Sequence, residues 1–107
     1  MRMGFWNTWG ANVPDYYEFA SELFPTFDVL GLSEVHNGQT EEEWATLTHE
    51  DMNNRHGPIH LKQFERVSDL LSKTHRGYFA TAFCGYHDCL AMPGIQQGLA
   101  LFVRHEQ

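Results

Sequence analysis

Several features that mark particular classes of protein are missing from this 107-residue sequence. No stretch approaches the roughly 18 consecutive apolar residues that a membrane-spanning helix needs. The first residues, Met1 to Trp6, lack the apolar stretch and small-residue cleavage site of a signal peptide, because polar Asn7 and Thr8 follow at once. The sequence therefore predicts a cytoplasmic protein without a transmembrane segment.

Basic residues are also scarce. Seven Lys and Arg stand against 14 Asp and Glu, which gives a formal net charge of −7. This balance argues against strong sequence-independent binding of nucleic acid, because neutralising the phosphates requires clustered Lys and Arg. An enzyme that handles phosphate could still work with such a charge by using a metal ion.

The sequence has only two cysteines, which cannot build a disulfide framework. Both lie in the segment Cys84 to Cys89, which could offer Cys84, His87 and Cys89 to a zinc ion. Four residues separate the two cysteines rather than two, and the chain has no second pair. The pattern therefore favours free, partly buried thiols and leaves a small zinc-binding module as an alternative.

What the sequence does contain is typical of one folded domain. Hydrophobic residues make up 42% of the chain and aromatic residues 14%, against 20% charged residues. A disordered chain has fewer core-forming residues and more charge. A chain of this length holds at most one domain with one core.

The spacing of apolar residues predicts strands that alternate with helices. Strands are expected over residues 3–9, 27–35, 78–84 and 98–104, and helices over 15–24, 40–52 and from Leu61 to before Gly77. Asp15 and Glu18 have the spacing of a capping box, and Pro93 and Gly94 indicate a loop between the last two strands. This order predicts a mixed sheet covered by helices on at least one face.

Two polar residues stand where the first two strands end. Glu34 closes an apolar strand, and a carboxylate is costly to bury there without a partner. Asn7 interrupts the first strand between Trp6 and Trp9. Ligands usually bind at the carboxyl ends of strands in open sheets, so both residues are candidates for a site. The alternatives are a Glu34 that simply reaches water and an Asn7 that bonds nearby backbone.

The residues around these positions resemble the opening of the endonuclease/exonuclease/phosphatase superfamily, which has the deoxyribonuclease I-like fold. Phe5–Gly10 (FWNTWG) and Phe27–Val35 (FDVLGLSEV) are similar to its first two strands. Gln97–Arg104 (QGLALFVR) is similar to a later strand that begins with Gly and ends in a basic residue. The resemblance implies an α/β (α+β) fold: part of a four-layer α/β sandwich with a mixed sheet flanked by helices.

The same resemblance implies a metal-dependent hydrolase of phosphate esters. By position in the motif, Glu34 would be the ligand of Mg²⁺ or Mn²⁺, and Asn7 would support the site and the phosphate. Candidate substrates are nucleic acid, a phospholipid head group or a sugar phosphate. Mg²⁺ prefers oxygen ligands and is commonly held by one or two carboxylates, which agrees with this assignment. His36, Asn37 and the 40–52 segment follow Glu34 and could line the site, although a surface loop and an ordinary helix are the favoured interpretation.

Two departures from the family pattern limit what the resemblance implies. Ser33 stands where the family usually has Gln, and the later Asp-x-Asn and Ser-Asp-His strings have no counterpart. Residues 1–107 are therefore expected to be the N-terminal portion of one such domain, inactive alone, with its missing C-terminal half as a partner. An alternative is a non-catalytic binding domain that retains half of the fold, in which Asn7 and Glu34 are structural.

Overall fold

The computed structural model describes residues 1–11, 13–38, 46–47, 59–60, 62–87 and 90–106. Six strands and two α-helices follow in the order β1 (Met3–Asn7), α1 (Tyr16–Leu23), β2 (Val29–His36), β3 (Thr46–Leu47), β4 (Ile59–His60), α2 (Gln63–Leu71), β5 (His75–His87) and β6 (Leu90–Arg104). Four strands form one sheet in the order β1-β2-β6-β5. β1 and β2 are parallel, whereas β6 is antiparallel to both of its neighbours. The predicted α+β class with a mixed sheet is confirmed.

Both helices pack on the same face of the sheet. The buried core there combines residues of α1, β2, α2 and β6: Tyr16, Ala20, Phe24, Leu30, Leu32, Val67, Leu71, Ala100 and Phe102. Trp6 of β1 adds its ring, whose centroid lies 5.2 Å from that of Phe27 and 5.8 Å from that of Phe24. We call this the covered face.

The opposite face of the sheet is also apolar but has no helix against it in the described part of the chain. We call it the open face and define it by Phe5, Tyr78, Leu99 and Leu101, which are 40–72% exposed. The strand register aligns Phe5, Gly31, Leu101 and Tyr78 in one row across all four strands. The next row, on the covered face, contains Trp6 and Ala100. This alternation follows from the two-residue period of a strand.

The amino end of β2 is tied to the last strand by Arg104. Its guanidinium donates to Asp28 Oδ1 at 3.2 Å, to the carbonyl oxygen of Phe27 at 3.1 Å and to the carbonyl oxygen of Pro25. The main-chain amide of Arg2 donates to Asp28 Oδ2 at 2.6 Å. These contacts, the Arg2 amide above all, lower the pKa of Asp28. The basic residue that closes β6 therefore fastens the sheet at the end away from Glu34.

Three local predictions are wrong. Thr46–Leu47 pairs with Ile59–His60 as a two-stranded ladder, so no helix runs through residues 46–47; the rest of the 40–52 segment lies outside the described residues. Pro93 and Gly94 lie within β6, because the β5–β6 hairpin extends as far as His87 and Leu90. Asp15 precedes α1 in a left-handed conformation with φ of 58° and makes no side-chain cap.

No described helix is long and apolar enough to cross a membrane.

Candidate functional site

The parallel pairing of β1 and β2 brings the two predicted site residues to one edge of the sheet. Asn7 is the partner of Ser33 in the ladder, and the amide of Thr8 donates to the carbonyl oxygen of Ser33 at 3.0 Å. Glu34 is the next residue of β2. Asn7 and Glu34 both have exposed side chains. The structure thus makes these strands parallel neighbours, while the roles of the two residues stay predictions.

Glu34 lies in a bulge of β2. Leu32 pairs with Ala100 and Val35 with Gly98, so Ser33 and Glu34 together face a single residue of β6. The φ angle of Glu34 is 55°, in the left-handed region that glycine usually occupies in such bulges. For an L-residue this conformation costs about 1–2 kcal/mol. A costly conformation at a strand end, occupied by a carboxylate, points to a role that packing does not explain.

Asn7 opens a left-handed turn. Its Oδ1 accepts a hydrogen bond from the amide of Trp9 at 3.1 Å, and the amide of Ala11 donates to the carbonyl oxygen of Thr8 at 2.9 Å. Trp9, Gly10 and Ala11 all have positive φ angles, between 49° and 66°. The turn leaves Trp9 62% exposed, whereas Trp6 packs partly buried against the core.

A buried polar cluster lies directly beneath this edge. Thr8 Oγ1 is 3.0 Å from the carbonyl oxygen of Ser33, 3.3 Å from that of Glu34 and 3.2 Å from Gln63 Oε1. Gln63 Nε2 in turn donates to the Tyr16 hydroxyl oxygen at 2.8 Å. Thr8, Gln63 and Tyr16 are each at most 6% exposed. We call these three residues the Thr8 cluster.

Sequence reasoning missed the Thr8 cluster. Gln63 is the first residue of α2. Its position beside the apolar residues of that helix was the one sequence feature that indicated a buried side chain. Tyr16 looked like one more apolar residue of α1. Burial raises the pKa of the Tyr16 hydroxyl, and the Gln63 hydrogen bond opposes that effect only in part. The cluster consists of uncharged side chains, and it connects both helices to the end of β1.

The donors at this edge suit a hard divalent cation. Glu34 offers a carboxylate, the ligand type that Mg²⁺ prefers while it keeps several waters, whereas the amide oxygen of Asn7 already accepts a hydrogen bond from the Trp9 amide. No group of three or more His, Cys, Asp or Glu side chains converges anywhere among the described residues. A metal ion at this edge would therefore need water, phosphate and further polypeptide to complete its coordination shell.

Two of the other candidates, His36 and Asn37, lie in the described part of the chain. His36 belongs to β2 and is completely buried, so it is not the surface-loop residue that the sequence favoured. Asn37 follows it, and its amide donates to the carbonyl oxygen of Gln96 at 2.8 Å. Cys89 and the side chains of Cys84 and His87 lie outside what the structure describes, so the zinc alternative stays a prediction.

Comparisons with known proteins identify the fold. No family model matches the sequence, and no curated protein does. Among solved structures, the chain is similar to an endonuclease/exonuclease/phosphatase from Beutenbergia cavernae DSM 12333, with a TM-score of 0.67 and 22% identity. The match covers 99% of this chain and 26% of that one, so the chain spans about a quarter of the length of its solved neighbour. The resemblance read from the sequence is therefore confirmed as a likeness of fold: this chain folds as a portion of an endonuclease/exonuclease/phosphatase protein does.

Proposed function

We propose that this chain is the N-terminal, metal-binding portion of a domain that hydrolyses phosphate esters. One observation carries the proposal: Asn7 and Glu34 are both exposed where the parallel pairing of β1 and β2 ends, and Glu34 keeps a costly left-handed backbone there. The substrate is a phosphate ester in nucleic acid, a phospholipid head group or a sugar phosphate. The net charge of −7 favours a small or weakly charged phosphate ester over a long nucleic acid.

In this proposal Glu34 would hold Mg²⁺ or Mn²⁺, which when bound neutralises charge on the phosphate. Asn7 would orient the ester. Its Oδ1 is already occupied by the Trp9 amide, so its NH₂ group is directed elsewhere and can donate to a phosphate oxygen. The left-handed turn that follows keeps Asn7 in this orientation before any substrate binds. Preformed donors of this kind stabilise developing negative charge without reorganising.

The proposal includes further polypeptide on the open face. Phe5, Tyr78, Leu99 and Leu101 form a continuous apolar surface on strands whose other face is already a core. The solved neighbour is almost four times as long as the matched region. We propose that the remainder of the domain covers this face and supplies the general base and the further metal ligands that the described residues do not bring together.

The metal assignment is tested by titrating the isotope-labelled chain with Mn²⁺ and following paramagnetic broadening by NMR. We expect broadening centred on Glu34 and Asn7 in the wild type and its loss in Glu34→Gln. Glu22→Gln is the matched control, because Glu22 is an exposed glutamate on α1. Broadening that survives Glu34→Gln would overturn the assignment and favour a binding domain in which Glu34 is structural.

A second substitution separates function from folding. Glu34→Gly removes the carboxylate but suits the left-handed conformation, so the free energy of unfolding should rise by about 1 kcal/mol while Mn²⁺ binding is lost. Urea denaturation followed by circular dichroism measures the first effect. A Glu34→Gly variant that is less stable than the wild type would show that the Glu34 side chain serves the fold.

The proposal also expects the 107-residue chain alone to be inactive. A single carboxylate without a base or a second ligand gives a metal no positioned nucleophile. The test is hydrolysis of bis(p-nitrophenyl) phosphate with 10-fold steps of Mg²⁺ and of Mn²⁺. Metal-dependent turnover that is abolished by Glu34→Gln would contradict the inactivity of the isolated chain and would strengthen the assignment of Glu34.

A further inference from the structure

The Thr8 cluster has more hydrogen bonding than the packing of a strand end requires. The neighbouring residues of β1 on the covered face are apolar or small, and a valine at position 8 would fill almost the same volume as threonine. Instead the hydroxyl lies 3.0–3.3 Å from three oxygen acceptors. A hydroxyl carries one proton, so these acceptors share a single donor. The hydroxyl thus lies within hydrogen-bond distance of the β2 backbone on one side and of Gln63 on the other.

Two of these acceptors are the carbonyl oxygens of Ser33 and Glu34, the two residues of the bulge. The bulge interrupts the ladder to β6, while the carbonyl oxygen of Ser33 keeps the Thr8 amide as its partner on the β1 side. The amide and hydroxyl of Thr8 both reach the carbonyl oxygen of Ser33, and the hydroxyl reaches that of Glu34. Thr8 therefore contacts the backbone on both sides of the Glu34 Cα atom.

Thr8 itself is held from the helix side. Gln63 is completely buried, and its amide group links the Thr8 hydroxyl to the hydroxyl of Tyr16. An unpaired polar group at such a position would cost about 1–3 kcal/mol, so each member of the cluster depends on the others. Gln63 begins α2 and Tyr16 begins α1. The start of α2 thus contacts the Thr8 hydroxyl directly, and the start of α1 is linked to it through Gln63.

We propose that Thr8 is a positioning residue for Glu34. By holding the carbonyl groups of Ser33 and Glu34, it keeps Glu34 in its left-handed conformation and sets the direction in which the carboxylate leaves β2. Gln63 and Tyr16 keep Thr8 in place. The consequence for metal binding rests on the proposed function, whereas the consequence for the Glu34 backbone does not.

The test compares Thr8→Val, which keeps the shape but removes the hydroxyl, with Thr8→Ser, which keeps the hydroxyl. The readouts are the Glu34 Cα and carbonyl chemical shifts, which report its backbone conformation, and the Mn²⁺ dissociation constant from NMR broadening. We expect Thr8→Val to move both Glu34 shifts and to weaken Mn²⁺ binding about tenfold, the lower end for partners of metal ligands. Thr8→Ser should retain the shifts and stay within about twofold in affinity.

Thr26→Val is the matched control, because the exposed Thr26 hydroxyl also donates to a backbone carbonyl, but near the amino end of β2. It should change neither readout. If Thr8→Val does not fold, Gln63→Met replaces it, with a smaller shift in the same direction. Unchanged Glu34 shifts in whichever of these variants folds would overturn the proposal and leave the cluster a matter of packing.

The two hypotheses fail in different ways. If the wild type shows no Glu34-dependent Mn²⁺ binding, the proposed function is wrong, and the Glu34 shifts alone still decide whether Thr8 positions this residue. If Mn²⁺ binds through Glu34 with equal affinity in wild type and folded Thr8→Val, the metal site stands and the positioning role of Thr8 is overturned.

Discussion

The two faces of the four-stranded sheet carry similar apolar side chains in very different surroundings. On the covered face Leu30 and Phe102 are completely buried beneath the helices. On the open face Phe5 is 72% exposed and Leu99 is 57% exposed. Leu99 lies on the same strand as the buried Phe102, and Phe5 lies on the strand next to that of the buried Leu30. The strands therefore carry apolar residues on both faces, as in a sheet that is covered on both sides. The described residues cover only one of these faces.

This difference indicates that burial on the covered face stabilises the chain and that the open face is available for interactions. Apolar burial stabilises by roughly 25 cal/mol per Å² of surface removed from water, and only the covered face gains it here. A contiguous exposed apolar patch on a small domain marks a surface for interaction. The open face should therefore tolerate substitutions that the covered face does not.

The largest expected effect is the loss of a side chain from the covered face. Phe102 of β6 packs against α2, with its ring centroid 5.7 Å from that of Phe64. Phe102→Ala should lower the free energy of unfolding by about 3–5 kcal/mol, because it leaves a cavity in the core. Leu101→Ala, one residue away on the open face, should cost under about 1 kcal/mol. Urea denaturation of both variants measures the contrast.

Equal losses in the two variants would show that the open face is covered in solution, by a second copy or by parts of the chain that the structure does not describe. Repeating the denaturation over a 50-fold range of protein concentration separates these cases. A loss that grows with concentration in Leu101→Ala would identify association between copies, since association makes apparent stability depend on concentration.

A smaller contrast is expected between two glycines of the sheet. A Cβ atom at Gly98 would lie 2.0 Å from the carbonyl oxygen of Ala80, where β5 bulges next to β6. A Cβ atom at Gly31 would meet only the ring of Phe5, at 2.4 Å, and that exposed ring is free to turn away. Gly98→Ala should therefore cost about 1–3 kcal/mol, since backbone must move, and Gly31→Ala clearly less.

Thermal unfolding of the two alanine variants measures this contrast. A shift in midpoint for Gly31→Ala as large as for Gly98→Ala would mean that Phe5 is held in place, and hence that something rests on the open face. The double variant Gly31→Ala/Phe5→Ala then decides, because removing the ring should restore the midpoint if the clash with Phe5 is the cause.

The class of fold and the candidate residues of the site could be predicted from the sequence. The alternation of apolar runs predicted a mixed sheet with helices, which the structure confirms. Glu34 and Asn7 were chosen as candidates because polar residues interrupt apolar runs there. The parallel pairing of β1 and β2, which brings these two residues to one edge, comes from the structure. The incomplete domain that the resemblance implies stays a prediction.

What could not be predicted depends on long-range packing and on backbone geometry. The Thr8 cluster joins residues 55 and 47 positions apart in sequence, and no local pattern reports such a contact. The left-handed conformation of Glu34 was hidden because glycine is the usual sign of such a bulge. The capping box at Asp15 failed for a similar reason: with positive φ its side chain does not reach the first turn of α1.

The smallest effect on folding, and the sharpest test of the open face, is expected from a charge placed on it. Leu99→Lys adds an exposed charge at a position that is already 57% exposed, so the free energy of unfolding should change by no more than about 0.5 kcal/mol. Self-association measured by sedimentation velocity should fall, since burying a lysine between two apolar faces is unfavourable. Leu70→Lys is the matched control, because Leu70 is 42% exposed on α2. A decrease in association with Leu99→Lys and none with Leu70→Lys would show that the chain self-associates through the open face. Equal behaviour of the two variants would contradict the difference between the faces, because net charge alone would then account for the change.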